Sequence, residues 1–366
     1  MGHVSLPSGS ESNNDQILVE ECGRARVVTL NRPKQLNALS RWMVEHLKQL
    51  YEQWEVDNRV SLIIIKGAGR AFCAGGDVAA TYHNGNAGQH RQAANYFYTE
   101  YTLNYIIGTC KRPYVALLDG IVMGGGAGVS IHGAIRVVTE KTVFSMPETT
   151  LGLHPDVGAS YFLSRLPGYL GEYLGLTGAR LDGVDMLGCG LATHFVMSES
   201  LPDLEKALRS FDTESIEDIS VFIDQFTVNA KLQEKSPLHR LAEINRCFSK
   251  VTVEEILEAL SCEENNCHGW YKASAESLRK ASPVSLKVTL KSIREGRHQP
   301  LADCLIREYR LSVRCVFAKL STDLYEGIRS ILIDKDRNPK WSPPSLELTS
   351  SEIVNHYFAP LKADEV

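Results

Sequence analysis

Met123-Gly124-Gly125-Gly126-Ala127-Gly128, read beside Gly67-Ala68-Gly69-Arg70-Ala71-Phe72-Cys73-Ala74-Gly75-Gly76-Asp77, decides how this chain folds. Each glycine cluster follows a short apolar run, 61–66 in one case and 114–119 in the other. Runs this short, rich in Ile, Val and Leu and bounded by turn residues, predict buried parallel strands. Glycine after a strand lets the chain turn with positive φ and lets a ligand approach the main chain closely. Residues 127–132 read as the first turns of a helix. Two such strand ends can aim two backbone N–H groups at one carbonyl oxygen, and each donor of an oxyanion hole is worth roughly 3–4 kcal/mol of barrier. Taken alone, either cluster is equally a plain strand-to-helix turn. Neither is a familiar phosphate cradle: a dinucleotide fingerprint from Gly124 needs glycine where Val129 stands, and no G-x-x-x-x-G-K-[ST] run occurs.

Downstream, Phe144-Ser145-Met146-Pro147-Glu148-Thr149-Thr150-Leu151-Gly152-Leu153-His154-Pro155-Asp156-Val157-Gly158 sets two carboxylates in a loop punctuated by Pro and Gly. Paired carboxylates in a partly dry pocket have their pKa values driven apart, so one can work on a carbonyl while the other orients it or a water. The same spacing fits a structural use. Ser145-x-x-Glu148 has the form of a capping box, and Asp156 stands where it would cap a helix starting near Ala159. Cys73 reads as a small buried side chain rather than a nucleophile. His132 reads as packed on a helix and His154 as a candidate lining of the pocket.

These motifs together resemble the enoyl-CoA hydratase/isomerase (crotonase) superfamily, and within it the 3-hydroxyisobutyryl-CoA hydrolase branch. Further matching stretches are Asn31-Arg32-Pro33-Lys34-Gln35-Leu36-Asn37-Ala38-Leu39, Glu100-Tyr101-Thr102-Leu103-Asn104, Leu176-Thr177-Gly178-Ala179-Arg180, Arg307-Glu308-Tyr309-Arg310 and Tyr325-Glu326-Gly327-Ile328-Arg329. The likeness runs from about residue 17 to about residue 358. It implies an α/β fold: a crotonase-like layered sheet core, a spiral of ββα units, with a mostly helical C-terminal region. It also implies roles. The amides of Gly76 and Gly125 would hold a thioester oxygen, Glu148 would be the principal catalytic carboxylate with Asp156 its partner, and Glu100 would contact substrate. Arg32 and Lys34 would meet the nucleotide part of coenzyme A. Hydratases of the superfamily carry a second glutamate two residues after the triple glycine, where this chain has Gly128. Hydrolysis of a short 3-hydroxyacyl-CoA, 3-hydroxyisobutyryl-CoA of valine breakdown first among them, is therefore the expected reaction. A hydratase or isomerase and a non-catalytic acyl-CoA binder are the alternatives. No cofactor is expected, since coenzyme A is part of the substrate. One departure from the branch is Ala159-Ser160 after Gly158, where further glycines are usual; their added volume is expected to narrow the acyl pocket.

Composition fits that picture. A chain of 366 residues, 43% of them hydrophobic, can bury a large core. The formal charge of −5, from 39 basic and 44 acidic residues without a basic tract, gives no electrostatic support for nucleic acid or membrane binding. No apolar run approaches the roughly 20 residues that span a bilayer. Nine scattered cysteines argue for a reducing compartment. Cys262, Cys267 and His268 are the one cluster that invites a metal, but they lack the paired C-x-x-C spacing, and no metal is expected.

Residues 1–15 read as a polar tail, 16–200 as the core that carries the oxyanion hole and carboxylates, and 201–366 as a helical region covering the coenzyme A pocket. Helical periodicity marks 216–226, 253–260, 302–321 and 323–333. Ser40 is placed to cap a helix whose Trp42, Met43, Leu47, Leu50, Tyr51 and Trp54 form an apolar stripe. A homo-oligomer is compatible with all of this. The N-terminus lacks Arg-rich amphipathic character, the last three residues are not a peroxisomal tripeptide, and Leu6 breaks the myristoylation pattern begun by Met1-Gly2. The cytoplasm is the default location, with peroxisome or mitochondrion as alternatives.

Overall fold

The computed structural model describes residues 15–263 and 269–362. The segment 1–14, the end 363–366 and the Cys267–His268 part of the metal cluster lie outside them. Its strands are β1 Ile17–Cys22, β2 Ala25–Leu30, β3 Leu62–Gly67, β4 Ala71–Cys73, β5 Tyr114–Leu118, β6 Ile121–Met123, β7 Ile135–Val138, β8 Val143–Ser145, β9 Leu181–Asp182 and β10 His194–Phe195. They form two sheets, ordered β1-β2-β3-β5-β7-β10 and β4-β6-β8-β9. From β3 to β8 the chain alternates between them: β3, β5 and β7 enter the larger sheet, and the strand after each enters the smaller. Pairing is parallel except at β1–β2 and β8–β9. The spiral expected from the resemblance is this alternation.

Period-two alternation sorts the larger sheet's side chains onto two faces. Val28, Leu30, Ile63, Ile65, Ala116 and Leu118 join the main core. Val27, Leu62, Ile64, Val115 and Leu117 point the other way and are covered by the helices Leu201–Leu208 and Ile216–Asp224. Both faces of β2, β3 and β5 are thus buried, as parallel sheets require.

Helix Arg41–Val56 starts as its sequence indicates: Ser40 Oγ accepts the Met43 N–H at 3.2 Å, and Met43, Val44, Leu47, Tyr51 and Trp54 are buried. Trp42 and Leu50 of the stripe are only partly buried. After the triple glycine the helix is one turn, Gly125–Gly128, rather than the longer one expected. Three glycines in four residues propagate a helix poorly, and Ser130 Oγ turns back to the Gly126 carbonyl oxygen at 2.7 Å. In the C-terminal region, helix Leu301–Phe317 packs along helix His90–Thr109, and Asp323–Ile328 continues into a π-helical turn, Arg329–Ile333. Two glycines let Asp323–Ile328 dock on the Glu148 segment. A Cβ on Gly327 would lie 2.3 Å from the Leu151 carbonyl carbon, and one on Gly152 would lie 2.1 Å from the Asp323 carbonyl oxygen.

Asn37 fastens the first loop to the β3–β4 connection. Fully buried at φ +58, it reaches the carbonyl oxygens of Ala68, Ala71 and Phe72 with Nδ2 (2.9, 2.8 and 3.2 Å), and its Oδ1 accepts the Arg32 N–H at 2.8 Å. Asn37→Ala leaves these groups unpaired and is predicted to cost about 2–4 kcal/mol in denaturant unfolding. A loss below about 1 kcal/mol would show that the loop is held elsewhere.

Candidate active site

Four stretches of chain close on a cavity of about 70 Å³ whose walls include Gly76, Tyr96, Glu100, Gly125, Glu148 and Asp156. Leu39 shapes the first. Its N–H donates to the Gly75 carbonyl oxygen at 2.8 Å and its own carbonyl accepts the Asp77 N–H at 3.0 Å, so the chain is clamped on both sides of Gly76. Among the described residues the Gly76 N–H has no acceptor. A Cβ here would meet the Tyr96 hydroxyl at 2.7 Å. Asp77 then caps helix Val78–Asn86, accepting from the Ala80 N–H at 3.3 Å and from both terminal nitrogens of Arg32 at 3.2 Å.

The triple glycine answers three separate demands. Gly124 turns at φ +47. A Cβ on Gly125 would lie 2.5 Å from Glu100 Oε1 and 3.1 Å from the Gly76 nitrogen, and one on Gly126 would lie 2.3 Å from the Cys73 carbonyl oxygen. The absence of side chains therefore lets the 124–126 turn press against β4 and sets the amides of Gly76 and Gly125 at one corner of the cavity. The Gly125 N–H also lacks an acceptor among the described residues.

Three carboxyl groups face that corner. Glu100 projects from helix His90–Thr109, Glu148 opens the 3-10 turn Glu148–Leu151 after β8, and Asp156 ends the loop beyond it. None is more than 4% exposed, so water cannot solvate their charge. Glu100 Oε1 and Glu148 Oε2 have no hydrogen-bond partner among the described residues. Burial, then the neighbouring Asp156 charge, holds the pKa of Glu100 and of Glu148 well above the ordinary carboxyl value. Burial pushes Asp156 up to about 7, opposed by its hydrogen bond from Tyr101. The capping uses are not found. Ser145 Oγ donates to the Gly178 carbonyl oxygen at 2.7 Å, and neither the Glu148–Leu151 turn nor helix Ala159–Phe162 has a side-chain cap.

Asp156 is aimed by a strained turn. Val157 takes φ +54, a conformation that costs a β-branched residue of order 1–3 kcal/mol. His132 Nε2 donates to the Val157 carbonyl oxygen at 2.7 Å, and Glu308 accepts the N–H groups of Gly158 and Ser160 at 2.6 and 2.9 Å and the Ser160 hydroxyl at 2.5 Å. Ser160 thus faces Glu308, and neither it nor Ala159 lines the cavity, which overturns the expected narrowing of the acyl pocket. His154 does not line the cavity either. It is buried behind Asp156, with burial pushing its imidazole down to about 4. His132 lies just past the one-turn helix rather than on a helix. Burial raises the Cys73 thiol to about 12, which removes it as a nucleophile.

Of the two cations, Arg32 is turned inward to Asp77, and Lys34 is exposed on the turn Pro33–Gln35. Gly128 leaves no room for a second glutamate: a Cβ there would lie 2.7 Å from both Asn104 Nδ2 and Val157 Cβ. No group of three or more His, Cys, Asp or Glu among the described residues is arranged to hold a metal ion. Sequence reasoning assigned nothing to Tyr101, Glu308 or Ser312. The stretch Arg307-Glu308-Tyr309-Arg310 belongs to the resemblance, but no local signal tells that Glu308 reaches 150 residues back to Gly158.

A family model described as enoyl-CoA hydratase/isomerase matches residues 25–358. The chain is 53% identical over 97% of its length to 3-hydroxyisobutyryl-CoA hydrolase 1 of Arabidopsis thaliana, covering 94% of that protein. It is 47% identical over 98% of its length to the mitochondrial 3-hydroxyisobutyryl-CoA hydrolase of Gallus gallus, covering 92% of it. The crystal structure of a carnitinyl-CoA dehydratase from Mycobacterium thermoresistibile superposes with a TM-score of 0.87 at 36% identity, over 96% of this chain and 98% of that one.

A raised carboxyl pKa means that the folded protein binds more protons than the unfolded chain once pH exceeds the unfolded value. Stability then falls as pH rises from there toward the folded pKa. Glu148→Gln removes one such group and is predicted to raise the melting temperature at pH 8 while leaving it nearly unchanged at pH 4. Equal effects at both pH values in thermal scans would contradict the burial of a protonated Glu148.

Proposed function

Because this chain belongs to the enoyl-CoA hydratase/isomerase family, we propose that it hydrolyses short 3-hydroxyacyl-CoA thioesters, 3-hydroxyisobutyryl-CoA first among them, to the free acid and coenzyme A. Valine degradation is the setting that this substrate implies. One observation carries the reading: two unpaired amides share a corner with three buried carboxyl groups.

In this assignment the thioester oxygen takes the N–H groups of Gly76 and Gly125, which stabilise it as it gains negative charge. Ionised Glu148 acts on the carbonyl carbon, either by forming a C–O bond itself, to give an anhydride that water opens, or by taking a proton from a water that attacks. The C–S bond breaks, and the departing sulfur takes a proton from Asp156. Glu100, beside Gly125, bounds the acyl group. Single-turnover reaction in heavy-oxygen water, followed by mass analysis of the Glu148 peptide and of the product acid, locates the attack of water. Label in Glu148 means an anhydride opened at the glutamyl carbon; with label in the product acid alone, trapping of an acyl-Glu148 adduct by hydroxylamine means an anhydride opened at the acyl carbon, and no adduct means direct attack by water.

A hydratase or dehydratase is the second reading, favoured by one observation, the strong superposition on the carnitinyl-CoA dehydratase structure. Thiol release from 3-hydroxyisobutyryl-CoA and 3-hydroxypropionyl-CoA, assayed against hydration of crotonyl-CoA, tests the choice. Thioester cleavage is expected to dominate. Hydration without thiol release would overturn the proposal, and so would saturable binding with neither reaction. Glu148→Gln is predicted to lower kcat roughly 10²–10⁴-fold, and the acid limb of kcat/KM is predicted to lie well above 4.5, the ordinary value for glutamate.

Lys34 is proposed to meet the coenzyme A phosphates, whereas Arg32 braces Asp77 beside the oxyanion corner. Lys34→Ala is therefore predicted to raise KM, increasingly so at low salt, with kcat unchanged. Arg32→Ala is predicted to lower kcat as well, and identical effects from the two changes would contradict this division. For the compartment, the cytoplasm stays the default. The mitochondrion, to which the name of the Gallus gallus relative assigns that protein, is the alternative that cell fractionation decides.

A further inference from the structure

Asp156 is one end of a buried line of polar groups. Its Oδ2 lies 2.5 Å from the Tyr101 hydroxyl, that hydroxyl lies 2.7 Å from Ser312 Oγ, and Ser312 Oγ lies 3.3 Å from His154 Nε2. His154 Nδ1 lies 3.1 Å from the Pro155 carbonyl oxygen. All four side chains are buried. Tyr101 comes from helix His90–Thr109 and Ser312 from helix Leu301–Phe317, so the line ties the Asp156 loop to both.

The protons in this line can be counted. A carbonyl oxygen only accepts, so Nδ1 carries the imidazole's N–H. Burial keeps the ring neutral, which leaves Nε2 an acceptor. Between Asp156 and Nε2 there are three contacts, each needing one proton, and the two hydroxyl groups bring two. The third is Asp156's own. With Asp156 protonated, the carboxyl donates to Tyr101, Tyr101 to Ser312 and Ser312 to Nε2, and every contact is filled. With Asp156 ionised, Tyr101 donates to the carboxylate and Ser312 can serve Tyr101 or Nε2 but not both. One contact is then left with facing lone pairs, which in a buried site is unfavourable.

We infer that Ser312 and His154 are positioning residues that, by drawing the Tyr101 proton away from the carboxylate, hold Asp156 as a carboxylic acid in the resting protein and so make it the proton donor of the reaction. This rests on the thioester-cleaving reading above. As the C–S bond breaks, the Asp156 proton passes to sulfur and Tyr101 turns its hydrogen to the new carboxylate. The water that completes the hydrolysis then supplies the proton that returns to Asp156, which refills the line. The groups around Asp156 add to the bias. Tyr96 and Glu100 face it from helix His90–Thr109, Glu148 from the 3-10 turn, and Glu308 and Cys315 from helix Leu301–Phe317. His154 faces Arg307 and Cys315 of that helix, Asp323 of Asp323–Ile328, and Tyr357 of Ser351–Phe358. Arg307 further disfavours a charged ring.

Infrared difference spectra across a pH titration read the protonated carboxyl directly, with the Asp156 band identified by its loss in Asp156→Asn. Ser312→Ala removes the group that competes for the Tyr101 proton, so Asp156 is expected to titrate about one unit lower, with the alkaline limb of kcat moving in step and KM little changed. Ser312→Thr keeps the hydroxyl and is expected to restore the wild-type titration. Tyr101→Phe takes the donor from the carboxylate and is expected to shift Asp156 the opposite way, so the inference stays testable if Ser312→Ala does not fold. An Asp156 band that titrates as in wild type in both variants, or moves the same way in both, overturns the inference even where turnover falls. Shifts in the expected opposite directions in a protein that cleaves no thioester support the relay and count against the proposed reaction instead.

Discussion

Three carboxyl groups confined in one cavity, none of them more than 4% exposed, form the constraint on which the rest of this structure depends. Charge in such a place is disfavoured by lost hydration and by mutual repulsion. The groups therefore hold protons at pH values where an exposed carboxyl has none. A fold tolerates this arrangement only if something else fixes the backbone around it. Here Glu308 accepts three hydrogen bonds from the 158–160 turn, His132 anchors Val157, and Tyr101 anchors Asp156 itself. Strained backbone and displaced pKa values at one place are a common signature of sites built to act rather than merely to pack.

The layered spiral makes this concentration attainable. β4 and β6 are neighbours in the smaller sheet, and each ends at a glycine cluster, so their parallel pairing brings Gly76 and the 124–126 turn together without a long-range accident. β8 pairs beside β6 and runs straight into the Glu148 turn. Helix His90–Thr109 passes over the cluster and lowers Glu100 toward Gly125, a contact possible only because residue 125 has no side chain. The C-terminal helices then close the back of the site, through Glu308 and Ser312 from one helix and through the glycine contacts of Asp323–Ile328 on Gly152.

How much of this was legible in the chain follows from the range of each interaction. The glycine clusters, the strands before them and the 148/156 pair are local patterns, and the strands stand where those patterns put them. Glu100 was a candidate only through resemblance, because a glutamate on a mixed helix has no local mark of burial. The capping readings of Glu148 and Asp156 used correct local rules, but tertiary partners took the same groups: Gly178 holds Ser145 and Tyr101 holds Asp156. The narrowing expected from Ser160 failed for a related reason, since its hydroxyl is drawn to Glu308 from a helix far along the chain. His154 and Ser312 are 158 residues apart, a distance over which spacing carries no information.

The central claim is that the amides of Gly76 and Gly125 polarise a thioester carbonyl held beside these carboxyl groups. It is tested most directly by the ¹³C resonance of carbonyl-labelled 3-hydroxyisobutyryl-CoA bound to the slow Glu148→Gln protein. Two donors on the oxygen withdraw electron density from the carbon, so the bound resonance should move downfield of its position in water. A resonance that stays at the solution value, with the ligand shown to be bound, would contradict the account.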